Sequence, residues 1–217
     1  TKKHDGSLIK VVRHKDGLLV STNGQIDAGE AIVHADGELI PSSSSSTTYL
    51  DLFKDAGGDK LPYKDKHCYL FELLHPMDRR VIQHTKPRLV FLGFRDNVSS
   101  LHGIVKPPQM LEDCHKFDCV EPVKFTSLHQ ALEAADKLPW YEEGFVGCAD
   151  GGVTRVKIKG NAFRNAHSLL HSYGAFHLEA DDVHPNVMKG RHVTCEEFMR
   201  GAAVEVALTL PQKRQEI

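Results

Sequence analysis

The sequence predicts an α+β fold in which antiparallel sheets carry helices on their outer faces, and three observations lead there. Four β-branched and aromatic runs have strand length: Ser7 to Arg13, Leu18 to Thr22, His67 to Leu74 and Arg88 to Arg95. The first two are joined through His14-Lys15-Asp16-Gly17. An Asp-Gly pair between such runs marks a hairpin, and a hairpin forces antiparallel pairing. Capped helical segments accompany the strands, one over Tyr49 to Ala56 behind Thr47-Thr48 and another over Ser127 to Lys137 ahead of Pro139.

Taken in order, Ser21-Thr22-Asn23-Gly24 closes the second strand, and Asp27 to Ala35 has helical spacing with an acid at its start. Pro41 to Thr48 is a short serine-rich connection, and Ala56-Gly57-Gly58-Asp59 ends the helix that follows it. No domain boundary is expected there, because His67 to Leu74 continues a sheet. That strand carries one acid, Glu72, among apolar neighbours. A carboxylate so placed is costly unless it is paired or liganded, although simple alternation would put it on a wet face. After Pro76 come Arg79 and Arg80, a strand-like Val81-Ile82, and the strand Arg88 to Arg95, where Phe91 and Phe94 are expected on opposite faces. Gln109 to Lys116 also reads as helical. Glu142 to Cys148 is a short strand with acids at its entry, and the turn Asp150-Gly151-Gly152 returns the chain into Val153 to Lys159. There Arg155, Lys157 and Lys159 share one face opposite Val156 and Ile158. Three cations in a row suit phosphate binding; a solvated charged face has the same pattern. Finally, Cys195 to Leu208 reads as one amphipathic helix.

The chain has 217 residues, 41% hydrophobic and 26% charged, with a formal net charge of -2. It is long enough for a real core, and no global basic field marks it as a nucleic-acid binder; basic surface is local, around Lys2, Lys3 and Arg155 to Lys159. Five scattered cysteines without a C-x-x-C pair fit reduced thiols in an intracellular protein. Fourteen histidines show no metal-ligand spacing. His167 and His171 stand four apart, and no third ligand is indicated. No apolar run reaches membrane length, so no membrane partner is expected.

The stretch with most chemistry is Lys3-His4-Asp5-Gly6-Ser7. A lysine on a tight turn beside a sheet can act as a nucleophile only when neutral. Poising it near pH 7 from its usual value of about 10.4 takes roughly three units, or about 4 kcal/mol. Neighbouring cations, a metal or desolvation can supply that. Alone, K-x-D-G is a weak pattern, and a lysine beside Asp-Gly is ordinarily solvated.

The ordered set is more specific. K-x-D-G (Lys3 to Gly6), an acid in an apolar strand (Glu72), E-G-x-V (Glu143 to Val146) and V-K-x-K (Val156 to Lys159) follow one another. This resembles the covalent nucleotidyltransferase superfamily, and more closely the phage-type ATP-dependent RNA ligases of the T-even phage tRNA-repair kind. Phe71-Glu72-Leu73-Leu74-His75-Pro76 with Arg79 and Val81 adds to the match, which runs over residues 1–173. The resemblance implies an ATP-grasp-like ligase domain with the ATP site between its sheets, acting on RNA 5′-phosphate and 3′-hydroxyl ends. In that reading Lys3 takes AMP from ATP, and Lys157 and Lys159 hold the α-phosphate. Glu143 engages Mg²⁺ or Mn²⁺, Glu72 contacts the ribose, and Phe94 stacks on adenine in preference to Phe91. His4, Asp5 and Gly6 border the nucleotide, with Gly6 allowing close backbone approach.

The resemblance also implies an intracellular protein of phage or virus origin. Two departures stand out. The family has a basic segment before its lysine motif, whereas only Thr1 and Lys2 precede Lys3, which suggests a processed chain or a fragment. Asn23 stands where the family has a lysine before the glycine, and an amide carries no charge. Residues 174–217 are expected to be a helical extension outside the match. Alternatives of the same chemistry are a DNA ligase or a capping-type guanylyltransferase; one of another class is an inactive domain that binds nucleic-acid ends.

Overall fold

In the structure, a computed structural model that describes residues 1–15, 17–33, 47–96, 104–149 and 154–172, the strands form two antiparallel sheets. The elements are β1 (Lys2–Lys3), β2 (Ser7–His14), β3 (Gly17–Ser21), α1 (Tyr49–Asp55), β4 (His67–Leu74), β5 (Arg88–Asp96), α2 (Leu128–Asp136), β6 (Gly144–Ala149), β7 (Thr154–Lys159) and α3 (Asn161–Ser172). One sheet has the order β3-β2-β4-β5 and the other β1-β6-β7. The chain passes from the second sheet to the first across His4-Asp5-Gly6, between β1 and β2. The K-x-D-G stretch is therefore the crossover between sheets.

The four-stranded sheet carries the main core. Ile9, Val11, Tyr69, Phe71, Leu73 and Phe91 point to one face by the two-residue alternation of strands and are completely buried. Leu52 and Phe53 of α1 and Phe117 close over them. The Phe91 and Phe117 rings lie 4.7 Å apart. Each such aromatic contributes about 1.5–3 kcal/mol by leaving water. Thr48 starts α1 as expected: its hydroxyl accepts from the Asp51 N–H, and the Asp51 carboxylate accepts from the Thr48 N–H. The three-stranded sheet has a smaller core, where Phe145 and Ile158 pack against Ala131 and Ala135 of α2.

Four expected elements differ. Asp27 to Val33 is not helical: the Asp27 carboxylate accepts from the Gly29 N–H, Ala28 donates to Val20, and Val33 donates to Thr47. Local side-chain bonding and pairing with neighbouring segments take the groups a helix would use. Val81-Ile82 is not a strand, because both N–H groups donate to the Asp5 carboxylate. Gln109 to Lys116 breaks into two 3-10 turns, Pro108–Met110 and Cys114–Lys116, with Leu111 between them turned into the core.

Phe91 and Phe94 share a face instead of opposing each other. The pairing runs Leu70 with Gly93 and then Phe71 with Phe91, so Leu92 is an extra residue in a bulge. Gly93 supports it with φ 144. Both rings therefore enter the core. Cys68, Cys114, Cys119 and Cys148 are free thiols. Asp16, residues 41–46, the 150–152 turn, the 174–217 extension and the 195–208 helix lie outside the described residues.

Candidate active site

Both sheets line a pocket of about 570 Å³. From the three-stranded sheet come Thr1, Lys3, Val146, Cys148, Arg155 and Lys157. The register explains why they share a side. Lys3 pairs with Gly144 and Gly144 with Lys159, while Val146 pairs with Lys157 and Cys148 with Arg155. Residues opposite one another across antiparallel strands project to the same face. Lys3 and Lys159 thus flank Gly144, which puts no side chain between them.

The carboxylate of Glu143 fills that gap. Lys3 Nζ donates to its Oε2 at 2.6 Å, and Lys159 Nζ lies 2.9 Å from its Oε1. Glu143 is only 3% exposed, so the ammonium groups supply the partners its burial requires. Lys159 also lies 5.3 Å from the centre of the Phe163 ring, a cation–π contact that holds its stem.

On the other side, Glu72 comes from β4 between Leu8 and Val90 in the sheet register. Burial against these apolar neighbours pushes its carboxyl up to about 7; nearby Lys3 and the Gly6 N–H oppose that, and Glu143 adds to it. Gly6 lines the pocket at the crossover, where a Cβ would run into the Leu73 carbonyl oxygen. His4 also lines it, with its imidazole pushed below the usual value by burial and then by Arg88.

Asp5 faces elsewhere. Its carboxylate accepts the Val81 and Ile82 N–H groups at 2.8 and 2.7 Å, and its carbonyl contacts His84 Nε2 at 2.7 Å. Burial pushes its carboxyl above the usual value despite those bonds. It pins the crossover and so sets where Lys3 points.

Phe94 does not reach the pocket. It is 4% exposed and sits edge-on to His67, with Lys106 over its ring. The assignment of Phe94 to adenine stacking is corrected accordingly: the bulge turns Phe94 inward, while Leu92, on the face of Val90, lines the pocket. Leu8, Leu92, Pro107, Pro108 and Val120 form the apolar part of the lining. Gly93 inside a strand was the available signal for that bulge.

A further polar group lines the pocket without having been singled out from sequence: Ser7, Tyr49 and Arg80, beside Thr22, Asn23 and Gly24. Tyr49 stood out only as the first residue of a helix, and Arg80 only as one of two arginines. Among the described residues no group of three or more His, Cys, Asp or Glu is arranged to hold a metal, and the His171 side chain lies outside them. No described helix is long and apolar enough to cross a membrane.

No family model matches the chain. An RNA ligase of Rhodothermus phage RM378 is 29% identical over 100 residues, which are 43% of this chain and 22% of the phage protein. Among solved structures, Naegleria gruberi RNA ligase with PPi aligns with a TM-score of 0.53 and 14% identity, over 77% of this chain and 50% of that one. A mutant of that ligase with ATP and Mn aligns with a TM-score of 0.48 and 13% identity. The chain therefore has the fold of the aligned half of an RNA ligase, and spans half or less of the relatives' length.

Proposed function

We propose that the chain is the nucleotidyl-transfer domain, residues 1–173, of an ATP-dependent RNA ligase. It would join RNA 5′-phosphate and 3′-hydroxyl ends through a lysyl-AMP and an RNA-adenylate. The observation that carries this reading is Lys3 on the pocket wall, held from behind by the buried Glu143 that also binds Lys159, with Lys157 and Arg155 lining the pocket on the same sheet face. The likeness to phage and Naegleria RNA ligases supports it.

In the first step the Lys3 amine, having lost its proton, attacks the α-phosphorus of ATP. A P–N bond forms, the α–β bridging P–O bond breaks, and pyrophosphate leaves. Negative charge gathers on the phosphoryl oxygens, so fixed cations stabilise the transition state more than the ground state. Lys157 and Lys159 serve there. Glu143 orients Lys3 through its 2.6 Å bond. The apolar lining of Leu8, Leu92 and Val120 receives the base, and Glu72 the ribose hydroxyls. An oxygen of the RNA 5′-phosphate next attacks the same phosphorus; the P–N bond breaks and Lys3 recovers its amine. A 3′-hydroxyl then attacks the RNA 5′-phosphorus and AMP departs.

The donor set around Lys3 consists of carboxylate oxygens, and both oxygens of Glu143 already meet ammonium groups. That fits Mg²⁺ or Mn²⁺, which keep most of their water and take phosphate oxygens, better than a metal caged by protein ligands. Glu143 would hold it, directly or through water. When bound, the ion supplies further neutralisation of phosphate charge.

The test is transfer of label from α-³²P-ATP to the protein with Mg²⁺ or Mn²⁺. Wild type is expected to become labelled by ATP and not by GTP, and Lys3→Ala to lose labelling while still sealing RNA that already carries a 5′-adenylate. An unlabelled wild type, or a labelled Lys3→Ala, overturns the proposal.

A further inference from the structure

We infer that Arg80 forms the subsite for the terminal phosphate of an RNA 5′ end, distinct from the cationic face that handles the nucleotide. The inference rests on the ligase reading for the identity of the RNA, and on its own geometry for the phosphate.

The pocket has three chemically different parts. Its apolar part suits a base, and the cations of β1 and β7 suit nucleotide phosphates. The third part lies where β2 begins and α1 begins, with Ser7, Thr22, Asn23, Gly24 and Tyr49. It is rich in hydroxyl, amide and backbone donors, and Arg80 is the cation joined to it by hydrogen bonds.

Arg80 is held in place by one of its nitrogens. Its NH2 group donates to Ser7 Oγ at 2.9 Å and to the Tyr49 hydroxyl at 2.8 Å, and lies 3.4 Å from Asp78 Oδ1. The Tyr49 hydroxyl in turn donates to Asp78 Oδ1 at 2.8 Å. Asp78 is 5% exposed, so the anchor is rigid while the guanidinium itself is half exposed. Its Nε and NH1 donors make no bond to any described residue. An oriented arginine with donors to spare is the arrangement that recognises a phosphate dianion.

Ser7 stands four residues from Lys3, at the far end of the crossover. A phosphate bound at Arg80 therefore lies in the same pocket as the lysine, as the attack on lysyl-AMP requires. One nucleotide fills the apolar and cationic parts, which leaves the Arg80 part for the second substrate.

Two sources of phosphate share this chemistry, an RNA 5′ end and the β,γ-phosphates of ATP, and the experiment separates them. The probe is a short fluorescent RNA with a 5′-phosphate or a 5′-hydroxyl, whose binding is followed by anisotropy without ATP. Wild type is expected to prefer the 5′-phosphate by about tenfold, the scale of one charge-assisted contact. Arg80→Ala should bring that preference close to one, and Arg80→Lys should keep part of it. In parallel, the ATP concentration for half-maximal labelling should shift less in Arg80→Ala than the RNA preference does.

An equal or larger shift for ATP would assign Arg80 to the nucleotide and overturn the inference, as would a wild type indifferent to the 5′-phosphate. Should Arg80→Ala fail to fold, Tyr49→Phe decides: it removes the hydroxyl that holds the guanidinium and should lower the preference several-fold, whereas an unchanged preference counts against the subsite. A wild type that prefers the 5′-phosphate through Arg80 but takes no label from ATP leaves this subsite standing and removes the ligase reading.

Discussion

The four-stranded sheet buries Tyr69, Phe71 and Phe91 completely, while the three-stranded sheet turns Lys3, Lys157 and Arg155 toward a pocket and keeps only a small core behind it. One sheet is scaffold and the other carries the cations of the pocket. Like charges crowded on one face repel, so the three-stranded sheet needs a counter-charge and a firm neighbour. Glu143 provides the first, bridging Lys3 and Lys159. The crossover pinned by Asp5 to Val81 and Ile82 provides the second, since it fastens β1 to the scaffold. The difference teaches that a charged pocket wall can sit on a lightly packed sheet when the aromatic sheet beside it fixes its position.

That contrast is broken most directly by exchanging a side chain from each sheet for alanine. Phe71→Ala is expected to cost about 3–5 kcal/mol, because it opens a cavity among rings that cannot close over it. Lys157→Ala, at an exposed position, should stay within about 0.5 kcal/mol of wild type. Urea unfolding of both variants checks the pair. Equal losses would mean that the two sheets share one core and that the division is wrong.

Much of this organisation was legible in the sequence. The hairpin at residues 14–17, the strand His67 to Leu74 and the Thr48 cap are local features, written in turn residues and alternation, and the structure has all three. The shared face of Lys157 and Lys159 was legible for the same reason, since period two is enough to give it. What failed depended on distant partners. Val81-Ile82 has the composition of a strand, yet its N–H groups serve a carboxylate 76 residues earlier in the chain. Phe94 misled because a bulge at Leu92 reverses the alternation beyond it. Arg80 and Tyr49 gave no signal at all. They meet only because α1 and the segment after β4 converge on Ser7, a tertiary fact with no local period.

The contrast is sharpened by pH, because the scaffold sheet also turns one acid toward the pocket. Glu72 titrates at about 7 in the folded chain against 4.5 for its ordinary value. Between those values the folded state binds a proton that the unfolded state has released. Stability from this group is therefore complete below about pH 4.5 and is lost as pH rises toward 7. Urea midpoints between pH 4.5 and 8 should fall across that window, and Glu72→Gln should flatten the fall. Some slope should persist, since burial raises Asp5 in the same direction. A Glu72→Gln variant with the full wild-type slope would place the titration elsewhere.

The smallest expected effect lies at the start of α1, where the scaffold delivers Tyr49 to the pocket wall. Thr48 donates its hydroxyl to the Asp51 carboxylate at 2.7 Å and accepts the Asp51 N–H at 3.2 Å. Thr48→Ala removes both bonds and should cost about 1 kcal/mol, a loss of roughly 2–4 °C in melting temperature for a chain of this size. Leu52 and Phe53 remain buried under the sheet, so the helix should persist and Tyr49 should keep its bond to Asp78. If the cap belongs to the scaffold alone, labelling by ATP should fall no further than the folded fraction does. A larger fall would show that the first turn of α1 positions the pocket wall, and the boundary between scaffold and site would then run through Thr48.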